Sequence, residues 1–149
     1  MNPATLRTWA IRWLYVAVAL HLVVGLLLPW MAGHPAFDGY HLAIETSFHG
    51  DPVPAGARAH QLWWMALFGP TVQAAAIWMG ALVWLGARSR EPFAWGALIA
   101  GLLLWAPQDM LVSLRAACWS HVWLDTLALA GMLPPLVYLF LHDRQRAAA

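Results

Sequence analysis

The sequence predicts an all-α, polytopic membrane protein, built as an antiparallel bundle of four transmembrane helices with a short amphipathic helix in the first outer loop. Two observations predict this fold class. The 149-residue chain is 62% hydrophobic and only 10% charged, whereas soluble domains usually carry about 25% charged residues. Four apolar runs also divide the sequence, each near the roughly 20 residues that cross a hydrocarbon core. Runs of this length satisfy their own backbone hydrogen bonds as helices, so we expect helices rather than strands.

A single membrane domain over residues 1–149 accommodates these runs. We predict helices at about 11–31, 62–85, 93–114 and 119–141, and an outer loop at 32–59. The connections after the second and third runs are short, which makes those helices antiparallel neighbours. Arg7 and Arg12 precede the first run as they would in a signal peptide. That run is long, however, and no small-x-small cleavage site follows it, so we expect it to remain as a helix.

The outer loop carries the pattern of an amphipathic helix. Apolar residues recur there at spacings of three and four, namely Phe37, Tyr40, Ile44 and Phe48. A neighbouring stripe is polar and holds Asp38, His41, Glu45 and His49. This periodicity predicts a short helix that lies on the outer membrane surface or caps the bundle.

Arginine placement predicts the orientation, since all eight cations are arginine. With the N-terminus in the cytoplasm, six fall inside: Arg7, Arg12, Arg88, Arg90, Arg144 and Arg146. Arg58 and Arg115 fall outside, so this topology satisfies the positive-inside rule. We therefore expect a bacterial inner-membrane protein with both termini cytoplasmic. Its net charge of +1 gives no argument for a nucleic-acid partner, and a single cysteine, Cys118, excludes an internal disulfide.

The last two runs contain acidic residues where charge is otherwise absent. Asp109 and Asp125 each lie roughly 8 Å below the outer end of their predicted helix. Matching depth on adjacent antiparallel helices permits contact, and His121, four residues before Asp125, shares its face. Ionisable groups at this depth usually face a bundle interior or a wet cavity. The inner half of the runs holds few polar residues, so the sequence predicts a polar pocket open to the periplasm.

The predicted pocket is apolar with a few convergent polar groups, as small-ligand sites are. Its predicted ligand-binding residues are Asp109, Asp125, His121, Gln108, Arg115, His60, Trp105 and Trp123. A metal is the second interpretation, with Cys118, His121 and Asp125 as ligands. Thiolate and imidazole together suit copper or zinc. Haem is disfavoured, because His21 lies mid-membrane while His121 lies near the outer end.

Several functions remain open on the sequence alone. The pocket fits a small ligand, a lipid headgroup or a metal, and the chain also fits an accessory subunit of a membrane complex. Two carboxylates with a histidine also allow acid–base catalysis, although no catalytic residue can be assigned. A further interpretation is a purely structural network, in which Arg115 pairs with one carboxylate and His121 with the other. Besides the lipid bilayer, a second copy or another membrane protein is a possible partner, because small-residue patches at 80–86 and 97–101 permit close helix approach.

The architecture alone resembles a known group. Four helices, a long first outer loop and intramembrane carboxylates are similar to the sterol-isomerase and sigma-2-receptor group. This resemblance implies a lipid or sterol-like substrate for the acid–base interpretation. The acidic residues of that group lie mainly on its first helices, whereas the first two predicted helices here carry none, so no site residue transfers.

Overall fold

A computed structural model describes residues 2–147, and over these residues the chain is all-α. The helices are α1 (Pro3–Met31), α2 (Asp38–His49), α3 (Ala57–Ser89), α4 (Pro92–Arg115) and α5 (Trp119–Ala147), with a 3₁₀ turn at Pro35–Phe37 before α2. Four of them, α1, α3, α4 and α5, are long and apolar enough to cross a membrane. The predicted fold class is confirmed, and α2 is the predicted short helix of the first connecting loop.

The spanning helices extend beyond the predicted apolar runs. α1 begins at Pro3 rather than near residue 11, and α5 continues to Ala147 rather than ending near residue 141. Asn2 caps α1, since its side-chain oxygen accepts a hydrogen bond of 3.0 Å from the Ala4 amide, and proline suits the first helical position. Hydropathy marks only the part of a helix that meets lipid tails, so polar helix ends fall outside such a prediction.

The spanning helices form a ring of antiparallel neighbours. α1 packs mainly against α3 and α4 against α5, while smaller α3–α4 and α1–α5 contacts close the ring. The buried core between them is apolar and includes Leu14, Val83, Trp95, Leu136 and Leu139. We call the two ends of this ring the α2 end, which carries α2, and the node end, where α1 begins and α5 finishes.

Two glycines bring α1 and α3 into backbone contact. A Cβ atom on Gly25 would lie 2.9 Å from the carbonyl oxygen of Gly69, too close for any side chain. The approach lets Gln73 donate a 2.9 Å hydrogen bond to the Gly25 carbonyl across the two helices. His21 and Gln73 each lie near the centre of their predicted helix, which predicts a hydrogen bond between the two side chains. That prediction is wrong. His21 Nδ1 lies 2.7 Å from a carbonyl of its own helix, four residues earlier.

A buried ion pair joins all four spanning helices at the node end. Arg7 of α1 donates to both carboxylate oxygens of Asp143 of α5, each at 2.9 Å. Its Nη2 also donates to the Gly86 carbonyl of α3 at 3.2 Å, and Trp95 Nε1 of α4 donates to Asp143 Oδ2 at 3.0 Å. Asp143 is 1% exposed and Arg7 9%. We call these four residues the Asp143 node.

The node adds buried polar groups at the end of the bundle where the predicted apolar runs hold few. Arg7 and Asp143 lie outside the predicted spans, where charged side chains commonly meet lipid headgroups. The structure buries them because the ring closes at this end. Trp95 completes the closure, with its ring packed so tightly on Gly86 that a Cβ atom there would lie 2.6 Å from it.

Substitution of Asp143 by asparagine tests the node. Removing one partner of a buried pair leaves the other charge uncompensated, so we expect D143N to lower the free energy of unfolding by about 3–5 kcal/mol. The matched control is R144Q, one residue further along α5 and exposed, for which we expect less than about 0.5 kcal/mol. Denaturant unfolding in detergent measures both, and equal stabilities for the two variants would contradict the role given to the node.

Candidate functional site

The tight connection between α4 and α5 sets the depth of the acidic residues at the α2 end. α4 ends at Arg115 and α5 begins at Trp119. Between them Ala117 adopts a left-handed backbone with φ of 55°. The Cys118 amide then donates to the Ser113 carbonyl at 2.9 Å, which reverses the chain within one turn. Residues equally far from this turn on the two helices therefore lie at equal depth.

Asp109 of α4 meets His121 and Asp125 of α5 below that turn. His121 Nε2 lies 3.4 Å from Asp109 Oδ2 and 3.9 Å from Asp125 Oδ1. One possible ligand atom from each of the three residues lies within 4.8 Å of the other two. We call these residues the outer cluster. Asp125 is only 3% exposed, whereas the side chains of His121 and Asp109 are 35% and 32% exposed, so the cluster has a buried floor and an open side.

Helix α2 contributes a fourth group. The Tyr40 hydroxyl lies 3.0 Å from Nδ1 of His121, on the side of the ring opposite the two carboxylates. Burial, together with the nearby Cys118, Asp125 and Asp109, raises the pKa of the Tyr40 hydroxyl above its ordinary value. The phenol therefore stays protonated at neutral pH, and its oxygen can accept the Nδ1 proton of His121. The sequence places Tyr40 in the apolar stripe of α2, and its hydroxyl is the one signal that could have identified it.

The tautomer of His121 determines what its ring presents to the carboxylates. A neutral imidazole carries its proton on one nitrogen, and the hydrogen bond made by that nitrogen selects the tautomer. When Nδ1 donates to Tyr40, the lone pair of Nε2 faces Asp109 and Asp125. Metal-binding histidines are usually held in this way, with the second nitrogen donating to a neighbouring oxygen.

One buried carboxylate oxygen of the outer cluster lacks a hydrogen-bond partner. Among residues 2–147, Asp125 Oδ2 and Ser120 Oγ are buried and have no hydrogen-bond partner. Burying a carboxylate oxygen without a partner is costly, and such groups in native proteins usually bind a proton donor, a water molecule or an ion. The Asp125 carboxylate thus differs from that of Asp143, which accepts bonds from Arg7 and Trp95.

Four of the other predicted ligand-binding residues make no hydrogen bond to the outer cluster within residues 2–147. Gln108 is exposed and donates to the Leu104 carbonyl of its own helix. His60 accepts a 2.8 Å hydrogen bond from Trp64 Nε1, so it is engaged on α3 itself. Trp105 and Trp123 are 43% and 65% exposed and turn much of their rings to the outside of the bundle. Within the described residues, no hydrogen bond joins any of the four to the cluster.

Arg115 and Cys118 also differ from expectation. Arg115 is exposed and makes no ion pair among residues 2–147, so the interpretation in which it pairs a carboxylate of the cluster is wrong. It lies six residues beyond Asp109, at the end of α4. Cys118 is buried, but the three groups close enough to share an ion include Asp109 in its place. The geometry therefore offers one nitrogen and two carboxylates, without the thiol.

A second polar network holds α2 over the bundle. His41 and Glu45 are 0% and 6% exposed, while Phe48 is 64% exposed, so α2 turns the middle of its polar stripe toward the protein. Arg58 of α3 donates to both carboxylate oxygens of Glu45, and Gln61 Nε2 lies 2.9 Å from His41 Nδ1. We call His41, Glu45, Arg58 and Gln61 the α2 clasp. It fixes the helix that carries Tyr40.

Substitution of Glu45 by glutamine tests the clasp. The hydrogen bond from Arg58 lowers the pKa of Glu45 below its ordinary value of 4.5. The stability that this carboxylate adds is therefore fully present above pH 4.5 and is lost as the pH falls through the lowered pKa. We expect E45Q to speed hydrogen exchange of the α2 amides about fivefold at pH 7, and to remove the acid-induced rise that the wild type shows.

The control for this experiment is E91Q, since Glu91 is exposed and forms no ion pair among the described residues. Exchange rates should be corrected for the intrinsic effect of pH. If E45Q and E91Q exchange their α2 amides equally fast, the clasp does not hold α2.

Comparison with known proteins gives no relative. No protein-family model, no curated protein and no solved structure matches the chain. The chemistry of the outer cluster is therefore inferred from its own geometry.

Proposed function

We propose that this multi-pass membrane protein binds a divalent metal ion at the outer cluster, and that the ion is Zn²⁺. The observation that carries the proposal is the convergence of Asp109, His121 and Asp125, each offering a ligand atom within 4.8 Å of the others. Catalytic zinc sites use three protein ligands and leave the fourth position open to water or substrate. The outer cluster offers the same number from two neighbouring helices. The exposed side of the cluster provides that fourth position.

The distances fit zinc with small adjustments. Tetrahedral zinc with bonds of about 2.0–2.1 Å to nitrogen and oxygen separates its ligand atoms by about 3.3 Å. His121 Nε2 lies 3.4 Å from Asp109 and 3.9 Å from Asp125. Asp109 and His121 are partly exposed, so theirs are the side chains that would rotate to close the remaining gap. Asp125, which is buried, would define the fixed edge of the site.

Charge supports a divalent cation. Two ionised carboxylates and a neutral imidazole carry a charge of −2 in a region where lipid and apolar side chains solvate ions poorly. A divalent ion brings that charge to zero, and it gives the unpartnered Asp125 Oδ2 a positive neighbour. A monovalent cation would leave one negative charge uncompensated.

The ligand types favour zinc over copper(I). Thiolate and thioether sulfurs select Cu(I), whereas imidazole suits zinc and carboxylate oxygens suit harder ions. The cluster contains one imidazole and two carboxylates, and Cys118 is not among its members. Tyr40 adds the outer hydrogen bond to His121 that orients an imidazole ligand.

The open side of the cluster defines where a further ligand would bind. A small anion or a lipid headgroup entering there would meet the fourth coordination position of the ion. The positive-inside rule supports an orientation in a bacterial inner membrane with both termini cytoplasmic, because Arg58 and Arg115 are the two arginines of the α2 end. In that orientation the cluster is reached from the periplasm.

Zinc titration of the metal-stripped protein tests the proposal. We expect one tight site per chain in the wild type, detected by calorimetry and by elemental analysis after desalting. H121A and D125N should each lose this site. The control is H60A, because His60 is another histidine of the α2 end but is engaged with Trp64, and it should retain the full stoichiometry.

Thermal unfolding separates metal binding from scaffolding. D125N removes a buried charge without a hydrogen-bond partner, so the metal-free variant should be at least as stable as the metal-free wild type. Zinc at 100 times its dissociation constant should stabilise the wild type by about 2.7 kcal/mol and leave D125N unchanged. Equal zinc stoichiometry in wild type, H121A and D125N would contradict the proposal. So would a marked loss of stability in metal-free D125N if zinc stabilised neither D125N nor the wild type.

A further inference from the structure

An apolar groove runs between α1 and α5 on the outside of the bundle, at the node end. Its volume is about 440 Å³. It is lined mainly by Leu6, Trp9 and Trp13 of α1 and by Pro134, Pro135 and Tyr138 of α5. Because the contact between α1 and α5 is the smallest of the four in the ring, the two helices leave this gap open toward lipid.

Hydrogen bonds fix the groove at both of its ends. Pro135 has no amide proton, so it cannot bond the carbonyl four residues earlier, which is that of Gly131. Trp13 Nε1 donates to this carbonyl at 2.8 Å from the neighbouring helix. At the other end the Tyr138 hydroxyl donates to the Pro3 carbonyl at 3.0 Å. The groove therefore has walls that are held in place before anything binds.

A polar concavity adjoins the groove. It has a volume of about 300 Å³ and is lined by Ala4, Thr5, Thr8, Trp9 and Arg12, so Trp9 belongs to both. The Arg12 guanidinium lies 5.8 Å from the centre of the Trp9 ring, which holds the cation beside the apolar surface. Arg12 is exposed and makes no ion pair among residues 2–147.

The charge around this site is positive. Asp143 is paired with Arg7, so it does not neutralise Arg12. The remaining charged residues of the node end are the acid Glu91 and the cations Arg12, Arg88, Arg90, Arg144 and Arg146. Basic pockets between transmembrane helices are typical binding sites for anionic lipid headgroups.

We propose that the groove and the adjoining concavity together bind one anionic phospholipid. An acyl chain occupies the groove against Trp9 and Trp13, and the phosphate lies beside Arg12 and the Thr5 hydroxyl. The apolar groove alone would accept any lipid. The unpaired cation at its rim selects a negatively charged one. This site lies at the opposite end of the bundle from the outer cluster and does not depend on metal binding.

Native mass spectrometry of the detergent-solubilised full chain tests the proposal, with phosphatidylglycerol and phosphatidylcholine as the two probes. We expect the wild type to retain phosphatidylglycerol at least fivefold better than phosphatidylcholine. R12Q should weaken retention of phosphatidylglycerol about fivefold, which is the contribution of one arginine near a headgroup, and leave phosphatidylcholine unchanged. T5V should weaken phosphatidylglycerol retention about twofold by removing one hydroxyl donor.

The matched control is R88Q, because Arg88 also lies over a tryptophan, 5.3 Å from the ring centre of Trp84, but on α3 away from the groove. It should bind phosphatidylglycerol like the wild type. Equal losses in R12Q and R88Q would mean diffuse attraction to basic residues, and would overturn the proposal. Equal retention of both lipids by the wild type would overturn it too, as would binding of glycerol phosphate as tight as that of the whole lipid, since the groove would then contribute nothing.

Discussion

The hydrogen bonds to Asp143 are the interaction on which the rest of this bundle depends. One buried carboxylate receives Arg7 from α1 and Trp95 from α4, and the same arginine reaches the Gly86 carbonyl of α3. Both charged groups are buried, so their hydrogen bonds tie the four helices together at this end. Because helices are stiff, fixing their register at the node end also fixes the depth at which residues meet at the α2 end.

The two polar sites of the bundle differ in how completely they are satisfied. At the node no buried side-chain nitrogen or oxygen lacks a hydrogen-bond partner among residues 2–147, as is expected of a structural site. At the α2 end Asp109, His121 and Asp125 come together without completing their hydrogen bonds, and Asp125 Oδ2 has no partner among residues 2–147. Rigid helices and the separately anchored helix α2 hold these three residues in place, as the proposed zinc site requires.

The sequence predicts the fold and the centre of the candidate site for the same reason. Charge is so rare in the apolar runs that Asp109, His121 and Asp125 are conspicuous, and helix rise fixes their depth. The sequence does not predict the direction in which each side chain points from its helix. Neighbouring residues on a helix point about 100° apart, so once Asp109 faces α5, Gln108 cannot. The α2 periodicity separates two stripes without indicating that Tyr40 of the apolar stripe faces the bundle together with His41 of the polar one, and for that reason Tyr40 is missed. Arg7 and Asp143 lie at helix ends, which hydropathy assigns to the headgroup region.

The direct test of the account is the X-ray absorption spectrum of the zinc-loaded protein at the zinc edge. Sites at the outer cluster would give a first shell of four nitrogen and oxygen atoms at about 2.0–2.1 Å, including the scattering of one imidazole ring, and this signal should be absent in H121A. A sulfur shell at about 2.3 Å would instead assign the metal to Cys118. A shell of six oxygens without imidazole would mean that zinc remains hydrated. Either result would contradict the view that Asp109, His121 and Asp125 form the functional centre of this protein.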